Sequence, residues 1–141
     1  MKVWKFYKGL SEEEVRDKCR QIFVENYVRD KSGERMIVRT RDGFQVFFHE
    51  YQFWHAFSYE NKQLGIRQFS YQRARRVLWI KRAIEGHSGF KRKDEGGRRL
   101  YFYERGRYVV VLKRTKRGFR FATHYVLRSK RKFLEMCSRF Q

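Results

Sequence analysis

Proline is absent from this chain of 141 residues, and cysteine occurs only twice. Without proline there is no stiff Pro-rich linker to divide the chain, so residues 1–141 are expected to form one domain. That length can bury a substantial core without disulfide or metal staples. Cys19 and Cys137 sit far apart, in segments with helical patterning. They read as buried or half-buried thiols in a reducing compartment. Long apolar runs are missing as well. None approaches the roughly 20 residues of a membrane span, and Met1-Lys2-Val3-Trp4-Lys5 lacks the apolar core of a signal peptide. A soluble, cytoplasmic protein without a membrane partner is the expectation.

Negative charge is the shortage with most consequence. There are 35 Lys and Arg against 15 Asp and Glu, a formal net charge of +20. Residues 1–69 hold 13 basic and 10 acidic side chains, net +3, whereas residues 70–141 hold 22 and 5, net +17. Interspersed signs serve solubility better than one sign does, so an excess of this size points to a polyanion. With 41 % apolar and 18 % aromatic residues, the chain is no disordered basic tail.

The same shortage restricts the chemistry. Two-metal phosphoryl transfer needs clustered carboxylates, and the basic half offers only Glu85, Asp94, Glu95, Glu104 and Glu135. His49 and His55 lack the i,i+4 spacing of a helical zinc pair, and both cysteines are remote from them. No phosphate-binding Gly-Lys-Ser/Thr loop, dinucleotide fingerprint or Ser-His-carboxylate set is present. No metal or cofactor is expected. RNA cleavage escapes these limits, because the 2′-hydroxyl is itself the nucleophile. The protein needs to move two protons and stabilise a phosphorane, work suited to histidine near neutral pH and to the arginine fork.

What is present predicts an α+β domain with helices packed on a four- to five-stranded antiparallel sheet. Ser11 and Glu14 form a capping box ahead of Val15, Cys19, Ile22, Phe23 and Tyr27 at helical spacing, predicting a helix over 12–28. Asp42-Gly43 between two apolar runs predicts a hairpin with a two-residue turn. His49 to Tyr59 reads as a short helix or packed loop. Ser70 caps a helix over 71–85 that Gly86 ends. The glycine-rich segment 86–97 is expected to be the most flexible. Strands follow at 98–103, 107–114 and 118–127, then a basic helix over 129–139.

Within this layout Arg73-Ala74-Arg75-Arg76-Val77-Leu78-Trp79-Ile80 is followed by Leu100-Tyr101-Phe102-Tyr103, Tyr108-Val109-Val110-Val111 and Phe121-Ala122-Thr123-His124-Tyr125. In order and spacing, over about 70–127, these resemble the phage-borne barnase–EndoU–colicin–RelE (BECR-type) class of metal-independent RNase toxin domains. The resemblance implies a small helix pair on a four-stranded antiparallel sheet and RNA cleavage by side chains of the sheet and flanking helix. Carried over, Arg73 and Arg76 match the helix arginines, and Thr123 and Tyr125 match the strand-end pair. His55 stands in the region where such domains often keep a histidine and is the candidate general acid or base. His124 replaces a small residue, which implies either a second proton-transfer group or an altered site.

Each assignment has a structural competitor. Arg73 and Arg76, three apart on a helix, can address one phosphate or form a solvated edge. By strand alternation Thr123 and Tyr125 share a face with Phe119 and Phe121, and Arg120, Ala122 and His124 take the other. Without a bulge, the two groups cannot serve one site. His55, within Phe53-Trp54-His55-Ala56-Phe57, competes with a core histidine. Lys113, Arg114, Lys116, Arg117, Arg120, Arg128, Lys130, Arg131 and Lys132 are expected to track a nucleic-acid backbone through counterion release. The expected function is a metal-independent endoribonuclease acting on tRNA or another structured RNA. The alternative is a non-catalytic RNA- or DNA-binding, host-factor-inhibiting protein of a mobile element. DNA and an acidic antitoxin or inhibitor protein are the further partners that the charge admits.

Overall fold

The computed structural model describes residues 1–5 and 7–141. Ser11 caps helix α1 (Glu12–Phe23), with the Glu14 amide on its hydroxyl and the Glu14 carboxylate on its amide. The helix widens to a π-turn over Val24–Val28. A short hairpin follows, β1 (Val38–Arg39) and β2 (Gln45–Phe47). Its turn is one residue longer than the expected two-residue form. The Thr40 amide bonds the Phe44 carbonyl, and Gly43 takes φ +97° as the last turn residue. A 3₁₀ turn (Glu50–Gln52) leads into α2 (Phe53–Ala56), and β3 (Ser58–Asn61) pairs with β4 (Ile66–Phe69) as a separate ribbon.

The helix expected over 71–85 is two pieces, α3 (Tyr71–Ala74) and α4 (Trp79–Ile84). Tertiary donors take the carbonyls that an unbroken helix would use. Ala74 accepts from the Tyr7 hydroxyl, Arg75 from the Trp4 amide, and Val77 from the Tyr27 hydroxyl at 2.6 Å. The Lys81 amide, whose helical partner would be Val77, donates to the same Tyr27 oxygen at 3.0 Å. The Tyr27 hydroxyl is thus inserted into one helical bond, which breaks the ladder.

The segment expected to be flexible is instead strand β5 (Phe90–Glu95), paired residue for residue with β6 (Arg98–Tyr103). Gly96 and Gly97 both have positive φ, +57° and +77°, and close a two-residue hairpin whose twist matches its strands. Strands β7 (Tyr108–Thr115) and β8 (Gly118–Val126) complete the sheet, and Ser129 caps α5 (Lys130–Arg139).

The sheet has six strands in the order β1-β2-β8-β7-β6-β5. It is antiparallel except where β2 runs parallel to β8, a pairing that brings Gly118 against the Gln45 backbone, where a Cβ would collide. The chain is one α+β domain, with more strands than the sequence suggested. One face packs on α1, α2, α3 and α4 through Phe23, Tyr27, Val77, Ile80, Tyr108, Leu112 and Phe121. On the other face Leu100, Phe102, Val109 and Val111 meet Phe133 and Met136 of α5 and Phe140 just past its end. Burying one such apolar side chain stabilises the fold by about 1.5–3 kcal/mol. Among the described residues no helix is long and apolar enough to cross a membrane.

Candidate functional site

The strand-end residues depend on one irregularity. On β7, Leu112 pairs with Phe121 but Val111 pairs with Thr123, so Ala122 is an extra residue in β8. The bulge inverts the expected facing. His124 turns inward with Phe121, where its ring lies 4.6 Å from that of Phe57, while Thr123 and Tyr125 turn outward beside Arg120. The period-two expectation fails at this one residue.

The outward face that α5 leaves open is a cavity of about 530 Å³. Thr123, Tyr125 and Arg120 line it from β8, Lys113 from β7 and Arg98 from β6, with His55 at its rim from α2. His55 is exposed, so it is not the core histidine that its apolar neighbours suggested; Phe53 and Ala56 take the buried positions of that short helix. Gln52 ties the segment to the bulge, its amide donating to the Phe121 carbonyl at 2.6 Å and its carbonyl accepting the His49 amide at 3.0 Å. Among the described residues no carboxylate lines the cavity. Burial pushes the Tyr125 phenol above its ordinary value despite opposing charges on Arg139, Arg73 and Arg98. The phenol is therefore a proton donor near neutral pH, not a base.

Tyr125 also lines a second cavity of about 390 Å³, with Arg73, Arg128 and Lys132. The Arg73 guanidinium is fixed by bonds to the Ser58 carbonyl at 2.7 Å and the Ala56 carbonyl at 3.3 Å. Arg76 does not join it. The helix breaks after Ala74, and Arg76 instead bonds the Gln72 carbonyl and side chain and lies 4.9 Å over the Trp79 ring. The expectation that both arginines address one phosphate is thereby corrected: Arg73 faces a cavity and Arg76 is held inside the fold.

His124 is wholly enclosed, with Nδ1 2.6 Å from the Tyr108 hydroxyl. Burial, then the charges of Arg73 and Arg76, holds its pKa well below the ordinary imidazole value. It is a neutral core residue with no route to a substrate, which removes the reading of a second proton-transfer group.

The remaining cations divide by position. Lys116 and Arg117 are exposed at the β7–β8 turn. Arg114 leaves the cavity face and stacks over Phe44 at 4.5 Å and Phe119 at 5.1 Å. Arg131 pairs with Glu135 at 3.5 Å, and Lys130 is exposed beside it. Several acids are engaged elsewhere. Asp42 and Asp94 clamp the buried Arg99, and Glu95 bonds Arg139 at 2.8 Å.

No family model, curated protein or solved structure matches this chain. Arg98, Gln52 and Tyr51 line the cavity without a role assigned from the sequence. Arg98 was legible, because it alternates with Leu100 and Phe102 on the face opposite Arg99 and Tyr101. Gln52 had no signal, since its role depends on the bulge across from it.

Proposed function

We propose that the chain is a metal-independent endoribonuclease that grips the RNA backbone in the His55 cavity. The observation that carries this reading is a cavity lined by one imidazole, the phenols of Tyr125 and Tyr51 and three cations, with no carboxylate among the described residues of its lining. In the proposed step His55 takes the proton of a 2′-hydroxyl, the 2′-oxygen bonds to the adjacent phosphorus, and the bond to the 5′-oxygen breaks. A proton from the Tyr125 phenol neutralises the departing oxygen, leaving a 2′,3′-cyclic phosphate. Arg98, Lys113 and Arg120 meet the charge that develops on the phosphorane, and Thr123 offers a hydroxyl to a non-bridging oxygen. The motif order that resembles the BECR-type class supports the same reading, and RNA implies a cytoplasmic site of action.

Incubation of the purified protein with total tRNA in EDTA, followed by a denaturing gel, tests it. Discrete fragments ending in cyclic phosphate are expected, with DNA of the same sequence left intact. Cleavage only on addition of magnesium would sink the proposal. A second reading has its own support. Only one imidazole reaches the cavity, and Tyr51 (74 % exposed) lines it as a stacking surface. It predicts salt-sensitive binding of both RNA and DNA and no products.

A further inference from the structure

The second cavity shares one lining residue, Tyr125, with the first, and among the described residues no acidic side chain lines it to neutralise its cations. Arg73 and Arg67 both donate to one acceptor, the Ser58 carbonyl, at 2.7 and 3.1 Å. Two guanidinium groups therefore converge on one oxygen, and Arg67 carries further bonds to the Ser58 hydroxyl and the His55 carbonyl. Arg128 lies 5.6 Å over the Tyr59 ring at the same cavity, and Lys132 enters from the first turn of α5. No Asp or Glu lines this space. Like charges held together at a partly buried point cost free energy until an anion joins them. A rigid guanidinium with both carbonyl bonds made presents its remaining N–H groups in a fork that suits phosphate.

We propose that the Arg73–Arg128–Lys132 cavity is a phosphate subsite for the same RNA strand that enters the His55 cavity, holding the phosphate one nucleotide away. The inference rests on the RNA-backbone reading above. It assigns Arg73 to substrate positioning and removes it from the reacting phosphate. Tyr125, common to both cavities, then lies under the sugar that joins the two phosphates. A substrate needs at least two consecutive phosphates in a single strand to fill the site, so a dinucleoside monophosphate is a poor ligand and a trinucleoside diphosphate a good one.

Titration with 2′-O-methyl di- and trinucleotides, which cannot be cleaved, tests this by NMR chemical-shift perturbation. In the unaltered protein the second phosphate is expected to tighten binding by about tenfold, the worth of one charge-assisted contact. The gain should vanish in R73K and, independently, in the surface double variant R128Q/K132Q, where loss of the fold is no concern. It should persist in K18Q/K31Q, which removes exposed cations outside both cavities and lowers general charge alone. An equal gain in all four proteins overturns the subsite and leaves the His55 reading standing. Binding of neither oligonucleotide overturns both. A gain that depends on Arg73 in a protein that cleaves no RNA supports the subsite and overturns the cleavage step alone.

Discussion

Tyr108 and His124 share a hydrogen bond of 2.6 Å in which both partners are fully enclosed. Burial lifts the Tyr108 pKa far above its ordinary value, so the phenol keeps its proton within this bond. The opposite nitrogen, Nε2, is buried with no hydrogen-bond partner among the described residues. This pair anchors β8 just past the bulge with His124 inward. Thr123 and Tyr125 are outward for that reason.

The first prediction concerns pH. An imidazole whose folded pKa is depressed contributes stability above the unfolded pKa, near 6.5, and loses it as pH falls toward the folded value. Unfolding free energy is therefore expected to drop between about pH 7.5 and 5, by at most about 1.4 kcal/mol per pH unit for this one proton. His49, also depressed by burial and by Arg35, adds a slope of the same sign. Urea unfolding of H124Q should show a flatter dependence than the unaltered protein. Y108F at pH 7.5 should lose about 1–3 kcal/mol, because Nδ1 is left buried without its hydrogen-bond partner. Parallel pH profiles for H124Q and the unaltered chain would contradict this account.

A second prediction separates chemistry from scaffold. H55A should reduce RNA cleavage by about 10²–10⁴-fold, the usual worth of a general base. Y125F and T123A should lose activity to a smaller degree. R76Q should behave differently, because Arg76 serves Gln72 and the Trp79 ring. It should lower the melting temperature with little change in the cleavage rate of the folded fraction. Gel assays paired with thermal melts check this. Native melting with undiminished cleavage in H55A, Y125F and T123A would remove the proposed roles.

Local chemistry made most elements legible. The Ser11, Ser70 and Ser129 caps, Gly86 and the strands of the last third all follow from neighbours in sequence. What escaped depended on partners far along the chain. The break after Ala74 needs Tyr7, Trp4 and Tyr27 to arrive and take its carbonyls. The facing of Tyr125 needs the extra residue at Ala122, which is defined only against β7. The flexible reading of 86–97 was a different kind of error. Gly96-Gly97 is a local hairpin signal, and counting glycines as mobility hid it.

Acid should find the weakest point of the far edge. Arg99, 2 % exposed, receives Asp42 at 2.7 and 3.0 Å and Asp94 at 2.7 and 3.1 Å, and lies 4.6 Å over the Phe119 ring. Its hydrogen bonds hold both carboxyl groups below their ordinary pKa. Such groups give stability above the unfolded carboxylate pKa of about 3.9 and lose it as pH falls below that value. R99M should cost about 1–3 kcal/mol at pH 7, because Asp94 loses its guanidinium partner and Asp42 keeps only that of Arg92 at 3.2 Å. The difference between D42N and the unaltered protein should shrink from pH 5 to pH 3. Urea midpoints across that range measure it, and a constant difference would show that Asp42 adds nothing through its charge.

The last prediction concerns how far the basic surface extends beyond the two cavities. Lys116 and Arg117 stand exposed on the β7–β8 turn, next to Lys113 of the His55 cavity. A strand that leaves the cavity along β7 passes this turn. Each phosphate neutralised there releases counterions, so each glutamine substitution should lower the slope of log K against log salt by about 0.7 for single-stranded RNA. K116Q/R117Q should therefore weaken binding uniformly across sequences and leave the cleavage rate at saturation unchanged. R120Q, inside the cavity, should reduce both. Fluorescence anisotropy over a salt series distinguishes the cases. An unchanged slope in K116Q/R117Q would put the turn outside the footprint and confine the bound strand to the two cavities joined at Tyr125.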